Sequence, residues 1–205
     1  MLPVVRQLKS RREEYSAATR QALIESATAL FAERGYGRTS LDDIAAGARV
    51  TKGALYGHFE SKQALFRAVV EELEAAATEE VRQAAAATST PWEGALAGIE
   101  AFLRVCCNTA YSNVVMREGP VALSLAEWHA AEEVHSYGLV AAMVHGLIEA
   151  GEVDPLPLET TARIFHAMFG AAAMLLAGAA PSDQPQALAD VRTVILRLME
   201  GMRRR

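Results

Sequence analysis

Residues 40–67, SLDDIAAGARVTKGALYGHFESKQALFR, spell two short helices joined by a tight turn, with a third helix beginning behind them. Helices this short do not hold themselves in water, so longer helices must flank them. Ser40 can cap the first, and Asp43 completes a capping-box pattern. Leu41, Ile44, Ala45 and Ala48 then share one face. Gly47 is small enough for close helix packing, Val50 follows the turn, and Thr51 is a good N-cap for the second helix. Leu55 and Phe59, four residues apart, point toward a core. Lys52, Ala54, Tyr56 and Gly57 point away from it.

That outward face is small, polar and free of acid. A helix that reads DNA bases uses its N-terminal side chains on base edges while flanking groups hold phosphates. Thr51 offers a hydroxyl and Lys52 a cation. Gly53, Ala54 and Gly57 let the backbone come close to a groove wall, and Ala54 can meet a thymine methyl. Tyr56 and His58 can donate to phosphate. Lys62 places a charge at the start of the next helix, where the positive helix end attracts anions.

The charge distribution fits. Residues 1–67 hold eleven Lys and Arg against seven Asp and Glu, and residues 68–205 nine against eighteen. The net charge of −5 thus divides into +4 and −9. A basic head on an acidic body is the footprint of a protein that touches DNA at one end.

The pattern resembles the helix-turn-helix of the TetR family of bacterial transcriptional repressors. It is carried by Ser40, Asp43, Ile44, Ala45, Val50, Thr51, Gly53, Tyr56, His58, Phe59 and Lys62. One position departs: the turn glycine usual in the family is Arg49 here, which either accepts a positive φ or turns differently, and can add a phosphate contact. The resemblance implies an all-α protein with an N-terminal three-helix helix-turn-helix head at 1–67 that includes a basic N-terminal arm. The resemblance also implies a ligand-binding and dimerisation body at 68–205, about nine helices in all. The function implied is a ligand-responsive repressor, a homodimer on a palindromic duplex operator, released by a small apolar effector. DNA-binding residues would be Ser40, Arg49, Thr51, Lys52, Gly53, Ala54, Tyr56, His58 and Lys62.

Composition supports the fold class. The chain of 205 residues is 51% hydrophobic, and no stretch alternates as a strand does. Residues 1–15 read as a basic polar arm, with Arg6, Lys9, Arg11 and Arg12. Periodicity predicts helices from Ala17 to Arg34, from Lys62 toward Ala86, and from Thr90-Pro91 to Thr109. A short helix or turn from Tyr111 to Glu118 would be closed by Gly119-Pro120. The next helix would run to Ala150 and stop at Gly151. Two more would span 158–178 and 185–202.

The last two helices carry a second signal. Leu188, Val191, Ile195, Leu198 and Met202 recur at heptad-like spacing. The helix before is apolar nearly all round and demands cover on every side. TetR-like proteins dimerise through their last two long helices, so the expected interface is Met168, Ala172, Leu175, Val191, Ile195, Leu198 and Met202. An effector pocket is expected among Phe102, Cys106, Tyr111, Trp128, His129, Met143, Phe165, His166 and Phe169, since such pockets are apolar with a few polar anchors.

Other classes find less support. The adjacent Cys106 and Cys107 cannot pair without strain and read as buried thiols of a reducing compartment. His129, Glu132, Glu133 and His135 could hold a metal, but histidines six positions apart do not suit one helix face, so no metal and no cofactor are expected. No hydrolase elbow, phosphate loop or zinc motif occurs, so the chain is not read as an enzyme. No hydrophobic leader opens the chain, and the apolar run 167–180 is too short for a membrane; a cytoplasmic location is expected. An activator or architectural DNA-binding protein without ligand, and a helical enzyme with a vestigial head, stay open as alternatives.

Overall fold

The computed structural model describes residues 11–204. Nine helices follow one another among them, with no strand beyond an isolated bridge between Val153 and Arg203. The chain divides into two compact units, residues up to Val69 and residues from Val70 onward. Like the boundary expected at 67/68, this division falls inside the fourth helix. The arm residues Arg6 and Lys9 lie outside the described residues.

The head unit contains α1 (Arg11–Arg34), α2 (Leu41–Gly47), α3 (Lys52–His58) and the first turns of α4 (Lys62–Ala86). Helix α1 starts six residues earlier than the Ala17 expected, so Arg11 and Arg12 belong to it rather than to an arm. Glu13 and Glu14 in its first turn suit the positive helix end. Gly35, at φ 78, ends α1 in the left-handed conformation, its N–H donating back to the Phe31 carbonyl. The core between these helices is Leu23, Ile24, Phe31, Ile44, Leu55, Leu65 and Phe66, all essentially buried.

The capping signals hold as written. Ser40 Oγ accepts from the Asp43 N–H at 3.1 Å while the Asp43 carboxylate accepts from the Ser40 N–H. The hydrogen bonds from Ser40 keep the Asp43 carboxyl below its usual range. Thr51 Oγ1 accepts from the Ala54 N–H at 3.1 Å. A methyl group on Gly47 would collide with Ser26 Oγ, whose hydroxyl donates to the Ile44 carbonyl at 2.9 Å. Gly47 thus lets α1 lie against α2.

Two residues of the head are decided by the structure: one alternative is chosen for Arg49, and Lys62 departs from the sequence expectation. Arg49 takes φ 58 and accepts the left-handed turn rather than avoiding it. Lys62 is not presented to an anion. Its Nζ donates to the Tyr36 carbonyl at 2.7 Å and to the Thr39 carbonyl at 2.9 Å, and lies 4.2 Å from the centre of the Tyr36 ring. That ring packs edge-on against Phe66 (5.0 Å between centroids), which in turn meets Phe31 at 5.1 Å. The half-buried ammonium therefore ties the α1–α2 connection to α4.

The body unit holds the rest of α4 and five further helices. These are α5 (Pro91–Cys106); α6, a π-helical stretch (Tyr111–Glu118) running into an α-turn (Gly119–Ala122); and α7, an α-segment (Leu125–Glu132) continued by a π-turn (Glu133–Tyr137) and a second α-segment (Gly138–Glu149). Then come α8 (Leu158–Gly178) and α9 (Gln184–Met202). Thr90 caps α5, with Pro91 in its first turn. The predicted end at Thr109 moves back to Cys106. Asn108 Oδ1 accepts from the N–H groups of Ala110 and Tyr111 and starts α6 instead. Gly119-Pro120 does not close α6. A methyl on Gly119 would stand 2.8 Å from the Trp128 ring, so that position is small for packing, not for termination. The break comes at extended Leu123, and Ser124 with Glu127 forms a complete capping box for α7.

Helix α8 packs against α5, α6, α7 and α9. By length and composition it could cross a membrane, which the shorter run 167–180 concealed. Its inner faces bury Ala162, Phe165, Ala172, Ala173 and Leu176 in this unit.

Two stability measurements test this description of the head. Arg49→Gly should raise the urea midpoint. Relief of ~1–2 kcal/mol at the left-handed position is partly offset by ~0.5–1 kcal/mol of glycine entropy. A midpoint lowered by the full glycine cost of ~0.5–1 kcal/mol would show that the turn stores no strain. Lys62→Met should lower stability by about 2 kcal/mol, because two carbonyls lose a charged donor. A midpoint like that of the parent protein would return Lys62 to the surface role read from sequence.

Candidate functional site

The turn between α2 and α3 presents α3 as an exposed face. Leu55 is fully buried and Phe59 nearly so, fixing the helix by its inner side. Thr51, Lys52, Gly53, Tyr56 and Gly57 are exposed, and Ala54 and His58 half-buried. The glycines are not required by the fold. A Cβ on Gly57 would meet nothing within 4 Å, and one on Gly53 only the Thr51 hydroxyl at 3.9 Å. Lys52 is not a free cation: its Nζ lies 2.8 Å from Asp42 on α2, and that hydrogen bond and charge raise its pKa. Both partners are exposed, so a competing anion can exchange for Asp42. Ser40 caps the start of α2, and Arg49, Thr51, Lys52, Gly53, Ala54, Tyr56 and His58 lie on the turn or α3. Of the sequence-predicted set, Ser40 and Thr51 also cap helices and Lys52 pairs with Asp42 on the same surface, while Lys62 is turned onto the carbonyls of Tyr36 and Thr39.

The body contains a cavity of about 120 Å³. Phe102, Tyr111, Met143, Phe165, His166 and Phe169 line it, as expected for a pocket. Three expected residues do not. Trp128 is 5% exposed; its indole N–H donates to the Val115 carbonyl at 3.0 Å, and its ring fills the space beside Gly119. His129 is exposed, its ring tilted against that of Trp128 with 4.9 Å between centroids. Cys106 is buried off the wall, its thiol pushed far up by burial, then by Cys107 and Glu74. Periodicity shows that a helix face is apolar but cannot say whether it meets a cavity or a side chain.

Glu74 and Ser136 were missed. Glu74, on α4, is 2% exposed, lines the cavity, and accepts from Tyr111 Oη at 3.0 Å. Its signal was an acid on the otherwise apolar stripe of Leu73, Val70 and Val69. Ser136 Oγ lies 2.8 Å from His166 Nε2, and burial lowers the pKa of that imidazole. Both π-helical segments bring residues to the wall, Tyr111 and Met116 from one and Ser136 from the other. Such widened turns recur at functional sites.

The expected dimer face splits in two. Ile195 (2% exposed) and Ala172 are core of the single chain, and Met202 lines the cavity. Leu175 and Leu198 are exposed, and Met168 and Val191 half-buried. The heptad count placed Ile195 and Leu198 on one seam, whereas the exposed row of α9 runs through Val194 and Leu198. On α8 the exposed row is Ile164, Ala171 and Leu175. Among the described residues no group of three or more potential metal ligands gathers.

Comparison with known proteins places both units. Residues 23–69 match the family described as bacterial regulatory proteins, tetR family. Residues 92–202 match the tetracyclin repressor-like C-terminal domain. A probable acrEF/envCD operon repressor from Escherichia coli strain K12 is 58% identical over 48 residues, which are 23% of this chain and 22% of that protein. A TetR-family transcriptional regulator from Pectobacterium atrosepticum has a similar structure, with a TM-score of 0.82 at 27% identity over 96% of this chain and 99% of that one. RolR, solved in complex with resorcinol, shares the fold at a TM-score of 0.61 and 19% identity, over 89% and 90% of the two chains. With more than half of its length matched by the C-terminal model and its helix-turn-helix by the N-terminal one, this chain belongs to the TetR family of bacterial regulatory proteins.

Proposed function

We propose that the chain is a cytoplasmic, DNA-binding transcriptional repressor that sits as a homodimer on a palindromic operator and is released by a small apolar effector. The observation that carries the DNA reading is the outer face of α3. It is exposed, holds no acid, and is flattened by Gly53 and Gly57, which no intramolecular neighbour requires. A groove wall is the kind of surface that needs such a face.

The exposed apolar rows of α8 and α9 support the dimer. Ile164, Leu175, Val194 and Leu198 are each more than half exposed. A second copy would cover them and supply the second recognition helix that a two-fold operator needs. The cavity supports an effector site: its volume approaches the ~150 Å³ of an engineered cavity that takes up benzene. The neighbour RolR, with its resorcinol, shows this fold accepting a molecule of one ring. Helix α4 contributes residues to both units, so the proposed coupling runs through it. An effector shifts DNA affinity only by its preference between binding-competent and incompetent states.

Electrophoretic binding to DNA flanking the chain's own gene tests the reading, and affinity should fall steeply with added salt. Gly57→Ala sharpens the test. It should stabilise the fold by roughly 0.5–1 kcal/mol yet weaken operator binding, because the methyl stands where the groove wall must come. Equal binding by this variant would remove α3 from the interface. For the dimer, Leu198→Glu should give folded monomers by light scattering. Ile195→Glu should instead unfold the chain, since it buries a charge in the protomer core. A folded monomer from Ile195→Glu, with Leu198→Glu still dimeric, would put the interface elsewhere.

A further inference from the structure

The outer face of α3 carries no acid of its own, yet the fold brings one to it. Asp42, on α2 and ten positions before Lys52, sets both carboxylate oxygens against the Lys52 ammonium, Oδ1 at 2.8 Å and Oδ2 at 3.1 Å. Both side chains are more than half exposed, and an ion pair so open to water adds little to stability. Helix α2 does not depend on it either. The first turn of α2 is capped by Ser40 with Asp43, the other acid there, whose carboxylate accepts from the Ser40 N–H and hydroxyl. An acid beside a DNA-binding face also repels phosphate. Asp42 thus opposes binding without being required by the fold.

Its effect on Lys52 is selective. An ammonium has three donors, and the two oxygens of Asp42 occupy at most two of them. The paired Lys52 keeps an N–H for a base edge, such as the acceptors of guanine, but has no net charge to offer phosphate. Non-specific binding is phosphate binding, driven by cations that displace counterions from the duplex. Exchanging Asp42 for a phosphate only swaps one anion for another and leaves Asp42 bare against the duplex. We propose that Asp42 is a specificity-determining residue of the DNA interface: it cancels the charge of Lys52 toward phosphate while leaving it a donor for a base. The inference rests on the DNA reading above and names how that face discriminates. Asp42 acts through Lys52 and needs no contact with DNA itself.

Fluorescence anisotropy of the full chain on two duplexes tests it. One is the tightest duplex that the wild-type protein selects from a random pool; the other is a scrambled duplex of the same length and composition. Asp42→Asn should bind the scrambled duplex several-fold tighter and the selected one less so, lowering the ratio between them. On scrambled DNA the slope of log affinity against log salt should steepen by about 0.9, the increment of one more phosphate contact. Asp42→Ser, a second variant without the charge, should behave alike, and Asp42→Glu, which retains it, should keep the wild-type ratio. In a Lys52→Ala background, Asp42→Asn should shift both duplexes alike and leave the ratio unmoved. Circular dichroism confirms that each variant is folded. An unchanged ratio and slope in the folded charge-free variants overturns the proposal, while wild-type binding keeps the DNA reading. A fall in the ratio that persists without Lys52 overturns the route through Lys52. If the wild-type protein selects no duplex, the DNA reading falls and the proposal with it.

Discussion

Helix α8 has more apolar surface than one neighbour can cover, and the body is arranged around that fact. One side packs into the core through Ala172, Ala173 and Leu176. Another turns Phe165, His166 and Phe169 toward the cavity. The third, with Ile164 and Leu175, is left to solvent. A helix apolar on every side is stable only where each side is met by something. The three environments are one requirement answered three ways: by α5, α6, α7 and α9, by a small apolar ligand, and by a second copy of the chain. The last two answers are the proposals made above.

The head solves a different problem. Two seven-residue helices form too few internal hydrogen bonds to persist alone. They are held from behind by Ile44, Leu55 and Phe59, and at the side by Lys62 on the carbonyls of Tyr36 and Thr39. With the holding done from the rear, Gly53 and Gly57 on the front of α3 carry no packing duty. That is why they can be spent on closeness of approach. Arg49 shows the opposite trade. An exposed cation is kept at a turn where its backbone is in the left-handed region, a choice that costs stability and suits a surface meeting phosphate.

Much of this was legible in the residues. Ser40 with Asp43, Thr51, Thr90-Pro91 and Gly151 mark helix ends through short-range hydrogen bonds and φ preferences, and each stands where its chemistry predicts. Two capping signals were equally local and passed over: Asn108, and Ser124 with Glu127. The first shortens a helix expected to reach Thr109, and the second starts α7. Gly119 misled for the reverse reason. Its smallness answers Trp128, nine residues on, and resembles a helix stop only when seen in sequence.

By itself the sequence determined the helical class, the helix-turn-helix and its outward face, because caps, periodicity and side-chain size act within a few residues. Tertiary structure alone decided which apolar residues became cavity, core or open face. Ile195 and Leu198 stand three apart on one helix, yet one is buried and the other is half exposed. Trp128 and Phe169 are both large aromatics, yet one fills a gap beside Gly119 and the other leaves one open. A side chain's fate there depends on what the neighbouring helix places opposite it, and that neighbour can lie dozens of residues away. Glu74 is the clearest case: α4 gives it an apolar stripe, and only the fold brings Tyr111, 37 positions later, to its carboxylate.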